Sequence, residues 1–392
     1  MTSSFPIRRS AYTSPVVIFL AAWGITLFLY ILQFSNILLY DRGEASLVVL
    51  AITLPFVFGV SLSKILNLGG NHKSNSTILI DYCLAGKTEN LLKITFAGWI
   101  AVTLAEIGYS GGIPMLWSLT GSSKTYFDFG IPTIHGLMNA ILLSLTTVST
   151  FLGLATKQKK YYIGIVFLLV WGVIVISRNL IIVGTLQCLF LMFFIKGPPK
   201  GARVIWLSIF GLLAIIGFGW IGDLRSGAAA FFALAQPSSS YPTFLPSGFL
   251  WVYIYITTPL NNLIHQTVVS LPEWNWGLTN SMALLLPSVI RNVLYDSNTV
   301  AGDLVTNAFN VSSAFLDIYR DLGFFGIVTM SFLIGAVSQA AYNGNSVRSV
   351  LFSVVLLQSA VLSIFFNHYF YLPILFQYPM ISFMVRPLRL QR

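Results

Sequence analysis

The stretch YYIGIVFLLVWGVIVISRNLIIVGTLQCLFLMFFIK, residues 161–196, reads as two apolar runs, 161–177 and 180–195, with only Arg178 and Asn179 between them. A helix needs about 20 mostly apolar residues to cross the hydrocarbon core of a bilayer, and each run approaches that length. No loop fits between them, so the pair is a membrane hairpin. Its turn carries a guanidinium held at the membrane boundary.

The same pattern recurs on both sides of this hairpin. Further apolar runs cover 12–34, 45–66, 92–107, 131–156, 204–221, 322–342, 347–366 and 369–385, which predicts an all-α polytopic membrane protein of about ten spans. Composition agrees: 56% of the residues are hydrophobic and 9% charged, against the one quarter usual in soluble domains. Mean hydropathy is +0.80. The first run is too long for a signal peptide and lacks a small-residue cleavage site, so it is read as an anchor.

Net charge is +10. No basic stripe exists outside the short loops, which argues against nucleic acid; the bias follows from topology instead. With the N-terminus inside, six of the 22 lysines and arginines face outward: Arg42, Lys124, Arg178, Arg225, Arg291 and Arg320. The acids show the reverse bias, with only Asp81 and Glu89 inside. Both termini are expected on the cytoplasmic side. Cys83 falls in a cytoplasmic loop and Cys188 in a span, so neither a disulfide framework nor a cysteine metal site is expected.

The chain is read as one integral membrane domain, 1–392, whose residues 222–321 form a large outward loop. Residues 249–269 are aromatic and apolar but interrupted by Thr257, Thr258, Pro259, Asn261, Asn262 and His265, the pattern of an interfacial or re-entrant helix. Residues 282–290 are similar, and if both cross, the count rises to twelve with the termini unchanged. A second outward segment, 109–135, is rich in Gly, Pro and aromatic residues and reads as an ordered loop. No internal repeat is visible, which weighs against transporter folds built from two related halves.

The outward arginines carry the main chemical signal. Arg178 in SRN, Arg225 in GDLRSG, Arg291 in LPSVIRN and Arg320 in IYRDLG all fall near one interfacial plane. A single arginine there can snorkel or pair with an acid. Four in a region otherwise poor in cations suit a membrane-embedded diphosphate, because guanidinium presents a planar fork to phosphate oxygens. Asp317 and Asp321, spaced i, i+4 around Arg320, share a helix face and are candidate bases for an acceptor hydroxyl; the competing reading is an interfacial salt-bridge cluster. His135 in IPTIHG is a further candidate base, whereas His265 and His368 read as structural. Trp274 and Trp276, beside Glu273, are candidate glycan contacts, although Trp and Tyr also populate any membrane-interface belt. No zinc-ligand spacing, D-x-D motif, Walker loop or G-x-G-x-x-G occurs, so neither a metal nor a nucleotide cofactor is expected.

Taken together, GGIPMLW, YFDFGIPTIHG, SRNLIIVGTLQ, GDLRSG, YIYITTPLNNL, LPSVIRN and NAFNVSSAFLDIYRDLGFFGIVTMSFLIG, in this order over residues 111–335, resemble the O-antigen polymerase (Wzy-type) family. The resemblance implies a GT-C-like helical bundle in the bacterial inner membrane with its active site facing the periplasm. It implies glycosyl transfer that joins oligosaccharide repeat units carried on undecaprenyl diphosphate, with a chain-length-regulating co-polymerase as candidate partner. By position, Arg178, Arg225 and Arg291 match the basic motifs of the family, and Arg320 and Asp321 fall in its Y-x-D-x-G-like segment. An O-antigen ligase, which uses the same donor, and a lipid-linked oligosaccharide flippase are the alternatives.

Overall fold

The computed structural model describes residues 2–70, 75–242, 244–286, 288–294, 302–306 and 308–390. Side chains within residues 2–5 and 75–83, and a scatter of others that includes Arg225, are not among those described. Five stretches are long and apolar enough to cross a membrane: Arg42–Ile65, Leu84–Thr120, Ile134–Thr156, Arg178–Lys196 and Leu316–Asn343. Pro15–Ile31, Val204–Gly217, Val347–Leu362 and Leu372–Met384 are shorter apolar helices. The chain is a polytopic helical protein.

From the N-terminus, β1 (Thr2–Arg8) leads into α1 (Pro15–Ile31), which has Pro15 at its first position, where no intrahelical N–H is needed. Next is α2 (Arg42–Ile65), started by a capping box in which Asp41 Oδ1 accepts the Glu44 N–H at 2.8 Å and Glu44 Oε2 accepts the Asp41 N–H at 3.2 Å. Then come β2 (Asn75–Asp81), α3 (Tyr82–Ser110), α4 (Pro114–Thr120), α5 (Ile134–Thr156), α6 (Ile163–Ile174) and α7 (Arg178–Lys196). The large loop holds the end of α8 (Ala202–Ser226), then α9 (Ala228–Ala235), α10 (Ser247–Val269), α11 (Thr279–Met282) and α12 (Ser288–Leu294). The C-terminal third contains α13 (Leu316–Asn343), α14 (Val347–Leu362), α15 (Leu372–Leu375) and α16 (Gln377–Met384). With 12 residues, α6 rises only about 18 Å, well short of a bilayer core of about 30 Å.

One element departs from the all-α expectation. β1 and β2 pair antiparallel, in register from Thr2 opposite Asp81 to Arg8 opposite Asn75. This small sheet packs at the end of the bundle where α7 finishes, because the Arg8 side chain lies against Gly197. The neighbouring Arg9 donates from Nε to the Tyr342 carbonyl and from Nη2 to the Gly344 carbonyl, both at 2.7 Å. A cation thus satisfies orphan carbonyls at the C-terminus of α13. Arg8, Arg9 and Lys196 therefore gather at one end of the bundle, the Lys196 end, and Arg178 marks the other.

Buried apolar side chains form two cores. The first surrounds α5, 78% of whose apolar window is buried, and draws on α3, α6, α7, α14 and α16. The second joins α1, α2, α10 and α13 to the other face of α14. In the second core, α2 and α13 meet backbone to backbone: a Cβ on Gly59 would lie 2.0 Å from the Phe332 carbonyl oxygen, and one on Gly335 2.2 Å from that of Phe56. Small residues permit such approach, and in a bilayer close packing rather than hydrophobicity holds helices together. Within the first core, Gln187 accepts from Thr147 at 2.7 Å and donates to Gln377 at 2.9 Å and Gln358 at 3.3 Å. That network pins α7 to α5, α14 and α16 beneath Arg178.

Candidate functional site

The geometry of Arg178 starts in the turn before it. Ile176 adopts φ +54, a left-handed conformation that opposes its branched Cβ. The turn closes with the Ser177 N–H bonded to the Gly172 carbonyl at 2.8 Å, and Ser177 Oγ caps the Leu180 N–H at 3.4 Å. Arg178 and Asn179 are thereby fixed in the first turn of a 19-residue helix, both exposed. A cation at that position opposes the positive end of the helix macrodipole by roughly 0.3–1 kcal/mol, and a bound anion would reverse the sign. Backbone strain at Ile176, with a cation two residues on at a helix N-terminus, is a pattern associated with function.

Arg178 opens onto a cavity of about 630 Å³. Its walls come from both cores: Ile182 of α7 faces Tyr255 and Ile256 of α10, with residues 310–312 and the segment that follows α14 closing the sides. The cavity lies where the two cores meet. A second cavity, of about 480 Å³, follows the same flank of α7 toward the Lys196 end, between Leu189, Phe193 and Lys196 and the α8 residues Trp206 and Leu207. Residues 178, 182, 189 and 193 share one stripe at helical spacing, so the two cavities open on one flank of α7, whose rise from Arg178 to Lys196 is about 27 Å, close to the thickness of a bilayer core.

The other expected site residues divide. Arg291, on α12, does not line the Arg178 cavity; its charge bears on the phenol of Tyr371, which does. The side chain of Arg225 lies outside those described. Arg320 lies elsewhere. Its Nη2 lies 3.6 Å from Glu273 Oε1, and it lines a separate polar cavity of about 190 Å³ with Gln266, Ser270 and Asp303. Trp274 and Trp276 flank Glu273 and are exposed, with the Trp276 ring 6.0 Å from that of Phe325. They belong to the Arg320 side of this end of the bundle, not to the Arg178 cavity.

Asp321 is fully buried, and its carboxylate accepts four hydrogen bonds: Asn280 N at 3.1 Å, Asn280 Nδ2 at 2.9 Å, Ser281 N at 2.8 Å and Ser281 Oγ at 2.7 Å. It anchors the start of α11. Tyr319 donates to the Thr267 and Ser270 carbonyls, each at 3.2 Å, and Gly323 breaks α13 at φ +60 with its Cα face against Pro272. The Y-x-D-x-G-like segment thus clamps the 267–281 chain to the head of α13, and Asp321, a candidate base by sequence, does not line the Arg178 cavity. Asp317, one turn earlier and partly buried, makes no hydrogen bond among the described residues and does not line the Arg178 cavity. Replacing Asp321 with Asn is expected to remove about 1–3 kcal/mol and lower the thermal midpoint of the detergent-solubilised protein by several degrees. An unchanged midpoint with lost activity would instead support Asp321 as the base.

His135 is also spoken for. Its Nδ1 lies 3.4 Å from Oε2 of Glu106, a carboxylate 1% exposed on α3 whose other oxygen accepts the Ile131 N–H at 3.3 Å. This pair ties the 111–133 loop to the bundle, and His135, a candidate base by sequence, lies outside the Arg178 cavity. Sequence reasoning passed over Glu106, although an acid inside an apolar run is a signal in itself. The histidine in the Arg178 cavity is His368, beside Ser312 and Asn310. Comparison with known proteins finds no matching family model, no matching curated protein and no matching solved structure, so the functional reading rests on this geometry.

Proposed function

We propose that the chain is an O-antigen polymerase: a metal-independent glycosyltransferase with about ten spans in a GT-C-like bundle, joining lipid-linked repeat units at the periplasmic face of the bacterial inner membrane. The observation that carries this reading is the placing of Arg178, at the N-terminus of α7, on a cavity at the junction of the two cores. A cation and a helix N-terminus suit the diphosphate of undecaprenyl diphosphate. The apolar flank of α7 below Arg178, with a second cavity near Lys196, suits the polyprenyl chain.

In the reaction, the bond between the anomeric carbon and the bridging phosphate oxygen breaks and its electron pair stays on that oxygen. The anomeric carbon bonds to a hydroxyl oxygen of the incoming unit, whose proton passes to the departing diphosphate. Guanidinium donors fixed before the reaction stabilise the developing charge, a contribution of several kcal/mol in a water-poor site. Reconstitution with purified lipid-linked repeat unit tests the proposal. Products longer than one unit are expected, sized by gel and mass spectrometry. Transfer only to a lipid A–core acceptor would make the chain a ligase, and passage of intact units across the membrane would make it a flippase.

A further inference from the structure

The Arg178 cavity contains two polar groups with nothing to bind. The His368 ring is 2% exposed and lines the cavity, and among the described residues neither of its nitrogens has a hydrogen-bond partner; Nδ1 is fully enclosed. Ser312 lines the same cavity, and its Oγ is likewise enclosed and unpaired among the described residues. Leaving a buried polar atom unpaired costs about 1–3 kcal/mol, so two on residues that line one cavity are best completed by a ligand toward which each side chain turns. An apolar chain cannot do so. A phosphate is better served at Arg178.

The ring is held rather than loose. Phe366 meets it edge-on at 5.7 Å and Tyr371 at 6.2 Å, and its backbone N–H bonds to the Phe366 carbonyl at 2.9 Å. Burial pushes the imidazole down to about 3, which keeps it neutral, with one nitrogen donating and one accepting. A half-turn about χ2 exchanges Nδ1 with Cδ2 at little change in shape, so a hydroxyl can reach it without repacking the aromatic neighbours.

Resting on the lipid diphosphate reading above, we infer that His368 and Ser312 form the hydroxyl-binding end of the Arg178 cavity and hold the first sugar of a glycosylated polyprenyl diphosphate. Arg178 takes the phosphates, and the sugar hydroxyls bridge the unpaired ring nitrogen and Oγ. The site therefore distinguishes glycosylated donor from spent carrier, which has phosphate and chain but no hydroxyl to offer.

Binding to full-length protein in nanodiscs tests this, with two probes: a polyprenyl diphosphate, and the same lipid carrying one sugar. His368→Phe keeps an aromatic ring in place and removes both nitrogens. It is expected to weaken the glycosylated probe about tenfold and leave the bare lipid unchanged. Ser312→Ala acts in the same direction, and His368→Gln, which can both donate and accept, recovers part of the loss. Arg178→Ala weakens both probes. Wild-type affinity of His368→Phe for the glycosylated probe, or equal weakening of both probes, overturns the inference. If Arg178→Ala affects neither probe while His368→Phe still weakens the glycosylated one, the phosphate reading fails and the hydroxyl site stands.

Discussion

Arg178→Lys is expected to collapse the glycan ladder to its shortest members while the protein reaches the membrane in normal amount. Lysine keeps the charge and loses the planar fork, so a bidentate contact becomes a point contact. A lost charge-assisted hydrogen bond is worth about 1.5–3 kcal/mol, or roughly 10- to 100-fold in transfer rate. The fold should tolerate the change, because Arg178 is exposed and its helix start is fixed by Ser177 and the turn at Ile176. Arg291→Lys should act in the same direction and less strongly, since Arg291 does not line the cavity and bears on it only through its charge near Tyr371. Gel profiles of the glycan, paired with blots of the membrane fraction, decide the matter. Ladders of wild-type length in both variants would remove bidentate diphosphate binding from the account.

Arg178 was legible in the sequence because it stands alone between two apolar runs, and a charge at that depth has few roles. Arg320 looked equivalent by the same rule, yet its carboxylate comes from Glu273, far away in sequence, and such a pairing leaves no trace in a hydropathy profile. Asp321 shows the same limit. Its spacing from Asp317 proposed a shared helix face, but α13 breaks at Gly323 and a loop segment folds back to donate four hydrogen bonds. His368 and Ser312 were invisible as a pair, because an unmet hydrogen bond is a property of surroundings and not of residue type. The sheet of β1 and β2 was missed for a related reason: strand pairing between the N-terminus and the segment before α3 depends on where α1 and α2 deliver the chain. Long apolar runs, by contrast, write the helices directly, as α2, α5, α7 and α13 show.

The α2–α13 contact should be the least tolerant place in the molecule. Gly335→Leu puts a side chain where a Cβ alone would lie 2.2 Å from the Phe56 carbonyl oxygen, and that atom belongs to a helix backbone that cannot rotate away. Gly59 meets Phe332 in the same manner from the opposite helix, so neither backbone can yield toward the other. Ordinary overpacking costs about 1–3 kcal/mol because side chains move aside. Here the helices themselves must separate, and the close packing that holds them in a bilayer is lost along their length. Gly335→Leu is expected to yield no monodisperse protein on size exclusion, whereas Gly24→Leu on α1, with nothing within 4 Å of its Cβ position, should behave as wild type. Equal behaviour of the two variants would refute the contact. The damage should also reach the cavity, since residues 310–312 form its wall immediately before α13 and Ala314 N bonds to the Ser363 carbonyl at the end of α14. A displaced α13 would carry Ser312 away from His368. Any Gly335 variant that still folds should therefore lose affinity for the glycosylated probe before it loses affinity for the bare lipid diphosphate.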